Sequence, residues 1–176
     1  MSSPIILEKY NPEWPDFFLE ERAKIEKALG HLIAKIEHIG STAIPEMGGK
    51  PIIDILIGVQ EKEDAEKCIP LLASIGYVFD PDRHEDFPER KSLDKYAIGA
   101  KIHLYIVDIN SEYWVRHILF RDYLRANPEV AREYNKLKVE LVKKYRYDRE
   151  AYTKGKAKFI KKVEDKAKKE RQMYMK

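Results

Sequence analysis

The sequence predicts a single α/β domain, a mixed sheet with flanking helices and a C-terminal helical bundle. Three observations carry the α/β part of that reading. Residues 51–59 form a continuous apolar run broken by one charge, Asp54, the pattern of a central strand covered on both faces. Residues 91–98 and 101–108 flank Gly99-Ala100 and read as a hairpin. Everything after Ser111 carries helix caps and helical spacing.

The elements follow in order. Residues 5–10 read as a short first strand. Asn11-Pro12-Glu13 opens a helix, because Asn caps and Pro in the first turn loses no hydrogen bond there. Trp14, Phe17, Phe18, Ile25 and Leu29 recur at helical spacing, and Gly30 ends the element. Residues 32–39 read as a strand running into Gly40-Ser41. An irregular stretch with Pro45 and Gly48-Gly49 then leads into the apolar run. Residues 61–75 read as a helix with Ala65, Ile69, Leu72 and Ala73 on one side, and residues 77–79 as a brief strand. Residues 80–89, rich in Pro, Asp and Arg, read as a loop.

Ser111 caps a helix to Ala126, and Asn127-Pro128-Glu129 repeats the earlier start signal. Val130, Tyr134, Leu137 and Leu141 then give an apolar stripe. Asp148 opens a last helix with Tyr152, Phe159, Ile160 and Val163 inward and a basic tail over about residues 164–176. No internal repeat or linker interrupts the pattern, so residues 1–176 read as one domain with five or six strands.

Composition narrows the classes. A chain of 176 residues buries roughly 70% of its unfolded surface and needs no covalent staple. Cys68 is the single cysteine, which excludes an internal disulfide and a cysteine-based zinc site. Ile69, Leu71 and Leu72 beside it mark it as a buried thiol. The N-terminal apolar run ends at Glu8 and Lys9, too short for a secretory signal, and no apolar stretch reaches membrane-spanning length. A cytoplasmic location with no membrane partner is the expectation.

The net charge of +3 is uneven: from Glu129 to Lys176 the chain has 17 Lys and Arg against 8 Asp and Glu. Such a segment can attract an anion, but lysines on amphipathic helices are also the ordinary solubilising choice. Nucleic acid is disfavoured as a partner, because no RNA-binding motif accompanies the charge.

One constellation points to chemistry. A strand ends in Gly40-Ser41, and after 12 intervening residues Asp54 lies inside an apolar strand. A carboxylate there is costly unless it meets a cation, a metal or several donors. Gly-Ser after a strand offers backbone N–H groups and a hydroxyl to an anion. A phosphate at Gly40-Ser41 and a divalent metal at Asp54 would suit phosphoryl or nucleotidyl transfer. The alternative is that Ser41 caps a helix and Asp54 makes a structural ion pair.

His38-Ile39-Gly40-Ser41-Thr42-Ala43-Ile44-Pro45, followed by Lys50-Pro51-Ile52-Ile53-Asp54-Ile55, resembles the signature of the GrpB family. The resemblance continues in Ile102-His103-Leu104-Tyr105-Ile106-Val107, in Arg116-His117, in the run from Phe120 to Arg125 and in Arg149-Glu150-Ala151-Tyr152. It implies a nucleotidyltransferase-like fold, a domain that also occurs fused to dephospho-CoA kinase, and an active site at Gly40, Ser41 and Asp54. The superfamily pattern has a second carboxylate two residues after the first, on the same strand face; here that position is Leu56. The family often has a second histidine where this chain has Tyr105.

The expected catalytic residues are Ser41, Asp54 and His103, with Asp54 and His103 also the expected metal ligands for Mg2+ or Mn2+, and His38 nearby. Gly40, Ser41, Thr42, Lys50, Arg90 and Arg121 are the expected ligand-binding residues, with Arg83 and Lys91 as further cations beside the loop. Arg121 also suits a helix-to-sheet ion pair. Tyr134 and Lys138, one helical turn apart, can face the site, and His31 and His117 read as surface or packing residues. The implied partner is a nucleotide or another phosphorylated small molecule. The alternative is a catalytically degenerate module acting through a protein partner.

Overall fold

The computed structural model describes residues 3–82, 88–97 and 99–174. The first helix, α1 (Trp14–Leu29), starts two residues later than Pro12 suggests, with Pro15 in its first turn and the Asn11 side chain accepting from the Glu13 N–H at 2.9 Å. Gly30 closes it at φ 53. The next strand, β1 (Lys35–Ile39), is shorter than expected because residues Gly30–Leu32 continue as a 3-10 turn.

Strand β2 (Ile52–Val59), helix α2 (Lys62–Ala73), strand β3 (Val78–Phe79) and the hairpin of β4 (Lys91–Ala97) and β5 (Ala100–Asp108) follow. Residues 83–87 of the expected loop, Arg83 among them, lie outside the described residues. Helices α3 (Glu112–Ala126), α4 (Pro128–Lys144) and α5 (Arg149–Tyr174) complete the chain. Ser111 caps α3 by accepting the Trp114 N–H at 3.1 Å, and Asp148 accepts the Ala151 N–H at 2.9 Å at the start of α5. The basic tail is thus helical through Tyr174.

Among the described residues the sheet has five strands in the order β1-β2-β5-β4-β3. Only β2 and β5 run parallel; the other neighbours are antiparallel. The expected strand at residues 5–10 is absent. Glu8 makes a single bridge to Gly49, while Ile5 is buried and Ile6 is exposed. A short β-branched run with no neighbouring strand to complete a ladder stays irregular.

Strand alternation divides the core. Ile53, Ile55, Ile57 and Val59 of β2 and Ile102, Leu104 and Ile106 of β5 face α1 and α2, where they meet Trp14, Phe18, Ile25, Leu72 and Cys68. Burial pushes the Cys68 thiol up to about 11, so it behaves as an inert small hydrophobe. Glu21 of α1 is buried on this same face of the sheet, where Lys95 and the Tyr77 hydroxyl reach it at 2.5 and 3.1 Å. Burial opposes its charge, but Lys95 and Lys24 more than offset this and hold the carboxyl below its ordinary value.

On the opposite face Ile39, Leu56 and Val107 pack under Trp114 of α3. The last three helices close on one another through Tyr123, Leu124, Ala131, Tyr134, Val163 and Ala167, and they trap Ile44 and Met47 of the loop after β1. That loop therefore lies between the sheet and the bundle. No described helix is long and apolar enough to cross a membrane.

Candidate functional site

Three elements converge where β1 ends. Gly40 leaves the strand at φ 75 and ψ −174, a backbone region open essentially to glycine alone. A Cβ there would lie 2.4 Å from Asp54 Oδ2, so the Asp54 carboxylate sits directly against the Gly40 backbone. Residues Ser41–Ala43 then form a 3-10 turn. Asp54 stands on β2 opposite Ile39 of β1 and His103 of β5, facing the helical bundle.

Around Asp54 the sheet contributes two more polar groups. His103 Nδ1 lies 3.5 Å from Asp54 Oδ1, and the Tyr105 hydroxyl lies 3.4 Å from both. On its far side His103 Nε2 faces Asp94 Oδ1 of β4 at 3.8 Å.

The opposite wall comes from the helices. Lys138 of α4 is 2% exposed, and its ammonium donates to Ser41 Oγ at 2.8 Å and to the Gly48 carbonyl at 2.5 Å. Its ammonium lies over the Tyr134 ring, 5.1 Å from the centroid, and that ring packs against Phe120 at 5.4 Å and Phe159 at 5.2 Å. Lys50 and Lys156 lie over the Tyr152 ring, 5.2 and 4.5 Å from its centroid. The resulting cavity of about 300 Å³ is lined by Gly40, Ser41, Asp54 and His103 and by Lys50, Lys138 and Lys156.

Burial sets the electrostatics. It brings Lys138 down to about 7, helped by the charge of Lys156. Burial and Lys50 bring Lys156 down to about 8 against the pull of Asp54. Lys50 is lowered by burial and by Arg149, again against Asp54. Tyr152, also buried, is pushed up to about 12 and stays neutral.

Of the residues expected from sequence, Gly40, Ser41, Thr42, Lys50, Asp54 and His103 line this cavity. Thr42 turns its hydroxyl to His38 Nε2 at 2.9 Å and to the Ile52 carbonyl at 3.0 Å. His38 itself lies on the other sheet face, stacked on Phe18 at 4.8 Å, so it does not join Asp54. Burial and the Arg125 and Arg121 charges lower it to about 3, a neutral imidazole.

Arg121 is also drawn elsewhere. It pairs with Glu37 at 2.6 Å and Asp122 at 2.8 Å and donates to the His38 carbonyl at 3.0 Å, covering the outer edge of β1. Arg90 stands behind Tyr105, its guanidinium 4.8 Å from that ring centroid and 2.7 Å from the Tyr113 hydroxyl. His117 packs as expected, stacked on Tyr113 at 4.0 Å. Lys156 was not foreseen, although it interrupts the inward stripe Tyr152, Phe159, Ile160 and Val163. A cation on an otherwise buried helix face is the signal that marks it.

A divalent metal is the group the resemblance implies, and the donor set tests it. Among the described residues no group of three or more His, Cys, Asp or Glu side chains converges on one point. Leu56, where a second carboxylate would stand, is fully buried under Trp114. One carboxylate, one imidazole and a phenol, faced by three lysines, do not fit an ion that demands six oxygens.

A sequence profile of the family described as GrpB protein matches residues 4–166. The glutamate-rich protein GrpB of Alkalihalophilus pseudofirmus is 37% identical over 162 residues, covering 89% of this chain and 91% of that one. YqkA of Bacillus subtilis is 36% identical over 159 residues, covering 90% of this chain and 46% of that protein. The fusion implied by the sequence has a counterpart in a dephospho-CoA kinase of Mycolicibacterium paratuberculosis, 27% identical over 173 residues and 42% of its length. The crystal structure of the conserved protein GrpB from Enterococcus faecalis superposes with a TM-score of 0.84 at 34% identity, over 95% of this chain and 99% of that one. The chain therefore belongs to the GrpB family.

Proposed function

We propose that this domain, working in the cytoplasm, binds a nucleotide or another phosphorylated small molecule in the cavity between the Gly40-Ser41 turn and the helical bundle. The observation that carries the reading is the convergence of Lys50, Lys138 and Lys156 on a cavity with one opposing carboxylate, Asp54. Buried amines without matching acids are costly in the free protein and gain most from an incoming anion. The Ser41 hydroxyl already accepts from Lys138, so a phosphate oxygen entering here meets both donors. Asp54 and His103 face the same volume, where His103 can accept a proton from a hydroxyl or water attacking the bound ligand.

With Leu56 in place of a second acid, two-metal nucleotidyl transfer lacks its ligands, and ligand binding is the primary activity proposed. A thermal-shift panel of ribonucleotides and coenzyme A precursors tests it, on wild type and Lys156→Met. A ligand at 100 times its Kd adds about 2.7 kcal/mol, a Tm rise on the order of 5–10 °C for a domain of this size. The expected result is such a rise for at least one phosphorylated ligand, much reduced in Lys156→Met. No rise with any of them rejects the reading.

A further inference from the structure

The cavity lacks the ligands for a divalent metal yet carries cations of its own. Lys50 and Lys156 share the Tyr152 ring, and Lys138 reaches the Ser41 hydroxyl from the neighbouring helix. Their fields overlap: Lys156 acts on Lys138, Lys50 on Lys156, and Arg149 on Lys50. Among the described residues Asp54 is the one acid lining the cavity. A metal ion placed here would add two positive charges to a site already in positive excess, with a single carboxylate to hold it.

We propose that Lys50, Lys138 and Lys156 stand in for the divalent metal, so that this site takes a multiply charged phosphate group without any metal and draws protons onto its amines as the anion enters. The inference rests on the phosphate reading above and deepens it. Charge matching then selects the ligand. A phosphomonoester brings about 1.5 to 2 negative charges, short of the excess that the three lysines, once protonated, and Arg149 leave over Asp54. Two linked phosphoryl groups come closer to neutrality.

Proton uptake follows from the surroundings of the amines. Asp54, His103 and Tyr105 face them from the sheet, Tyr134 from α4, and Tyr152 and Arg149 from α5. The phenols of Tyr134 and Tyr152 are pushed up by burial and hold their protons. Lowered to about 7 and about 8, Lys138 and Lys156 are only partly charged at pH 8. An anion that favours their charged forms must therefore bind together with protons.

Isothermal titration with pyrophosphate and with inorganic phosphate tests this at pH 8, in EDTA and in Mg2+, in two buffers of different ionisation enthalpy. In EDTA, pyrophosphate should bind at least about tenfold tighter than phosphate, with uptake of about one proton per anion. Mg2+ should leave its affinity unchanged or weaken it by competing for the ligand. Lys156→Met should lose about tenfold in affinity and part of the proton uptake. Tighter binding in Mg2+ by tenfold or more, or binding without proton uptake, overturns the inference while leaving the phosphate reading standing. Failure of both anions to bind in either medium rejects that reading and this inference together.

Discussion

Replacing Lys138 with Met should leave the protein at least as stable as wild type, raising Tm by about 2–12 °C, while weakening phosphate binding about 100-fold. The two effects have opposite signs because the buried amine is poorly compensated. Lys138 is 2% exposed, faces no carboxylate at hydrogen-bond distance and is brought down to about 7. Relative to a solvated lysine, its proton at neutral pH is disfavoured on the order of 4 kcal/mol. Met fills a similar volume without that cost, but the Ser41 hydroxyl and the Gly48 carbonyl lose a donor, which returns about 1–3 kcal/mol. The balance favours the variant by about 1–3 kcal/mol.

The pH dependence has a fixed sign. The folded state lowers the Lys138 pKa, so between about 7 and 10.5 it binds fewer protons than the unfolded chain. Wild-type stability therefore gains from this group as pH rises through that window, and the Met variant lacks the gain. Thermal melts across pH, with and without ligand, check both halves. A Lys138→Met protein that is destabilised by several kcal/mol yet still binds would make the lysine a structural strut.

Gly40→Ala should lower stability by about 3 kcal/mol, a Tm fall of about 6–12 °C, and abolish ligand binding. Two causes add. The backbone at φ 75 and ψ −174 excludes a side chain, and the new Cβ would meet Asp54 Oδ2 at 2.4 Å. The strand end and the carboxylate cannot both keep their places, so Ser41 and Asp54 lose their alignment. A double-mutant cycle separates the causes: in an Asp54→Ala background the 2.4 Å collision with Oδ2 vanishes, leaving the backbone strain and a tight 3.2 Å contact with the Cβ of residue 54. Chemical denaturation should then show Gly40→Ala costing at least about 1 kcal/mol less than in wild type. Equal costs in both backgrounds would mean that the Gly40 and Asp54 contact carries no energy.

Much of this site was legible because its residues break local patterns. Asp54 is a charge in an apolar strand, Gly40-Ser41 is a glycine-led turn after a strand, and Lys138 shares the face of Tyr134. The mixed α/β sheet, the hairpin and the terminal helices follow from alternation, caps and stripes, and they stand close to where those signals place them.

What was not legible depends on distant chain segments. Arg121 is a plausible phosphate ligand by type, yet Glu37, 84 residues away, claims it for the edge of β1. His38 is two residues from Gly40, but strand alternation turns it to the opposite face, onto Phe18. Lys156 was hidden among the many lysines of the terminal segment, where its position on the buried stripe is the one distinguishing mark. Leu56 gains its reason only in three dimensions, as part of the apolar layer beneath Trp114.

The most direct test of the account is to titrate the lysine ε-amines by NMR in isotope-labelled protein, free and with pyrophosphate. The free protein should show two amines with midpoints near 7 and 8, assigned to Lys138 and Lys156 by their loss in the Met variants. Pyrophosphate should raise both midpoints by about one unit or more. Midpoints at the ordinary lysine value of 10.5, unmoved by the anion, would contradict the claim that these amines form a charge-starved phosphate site.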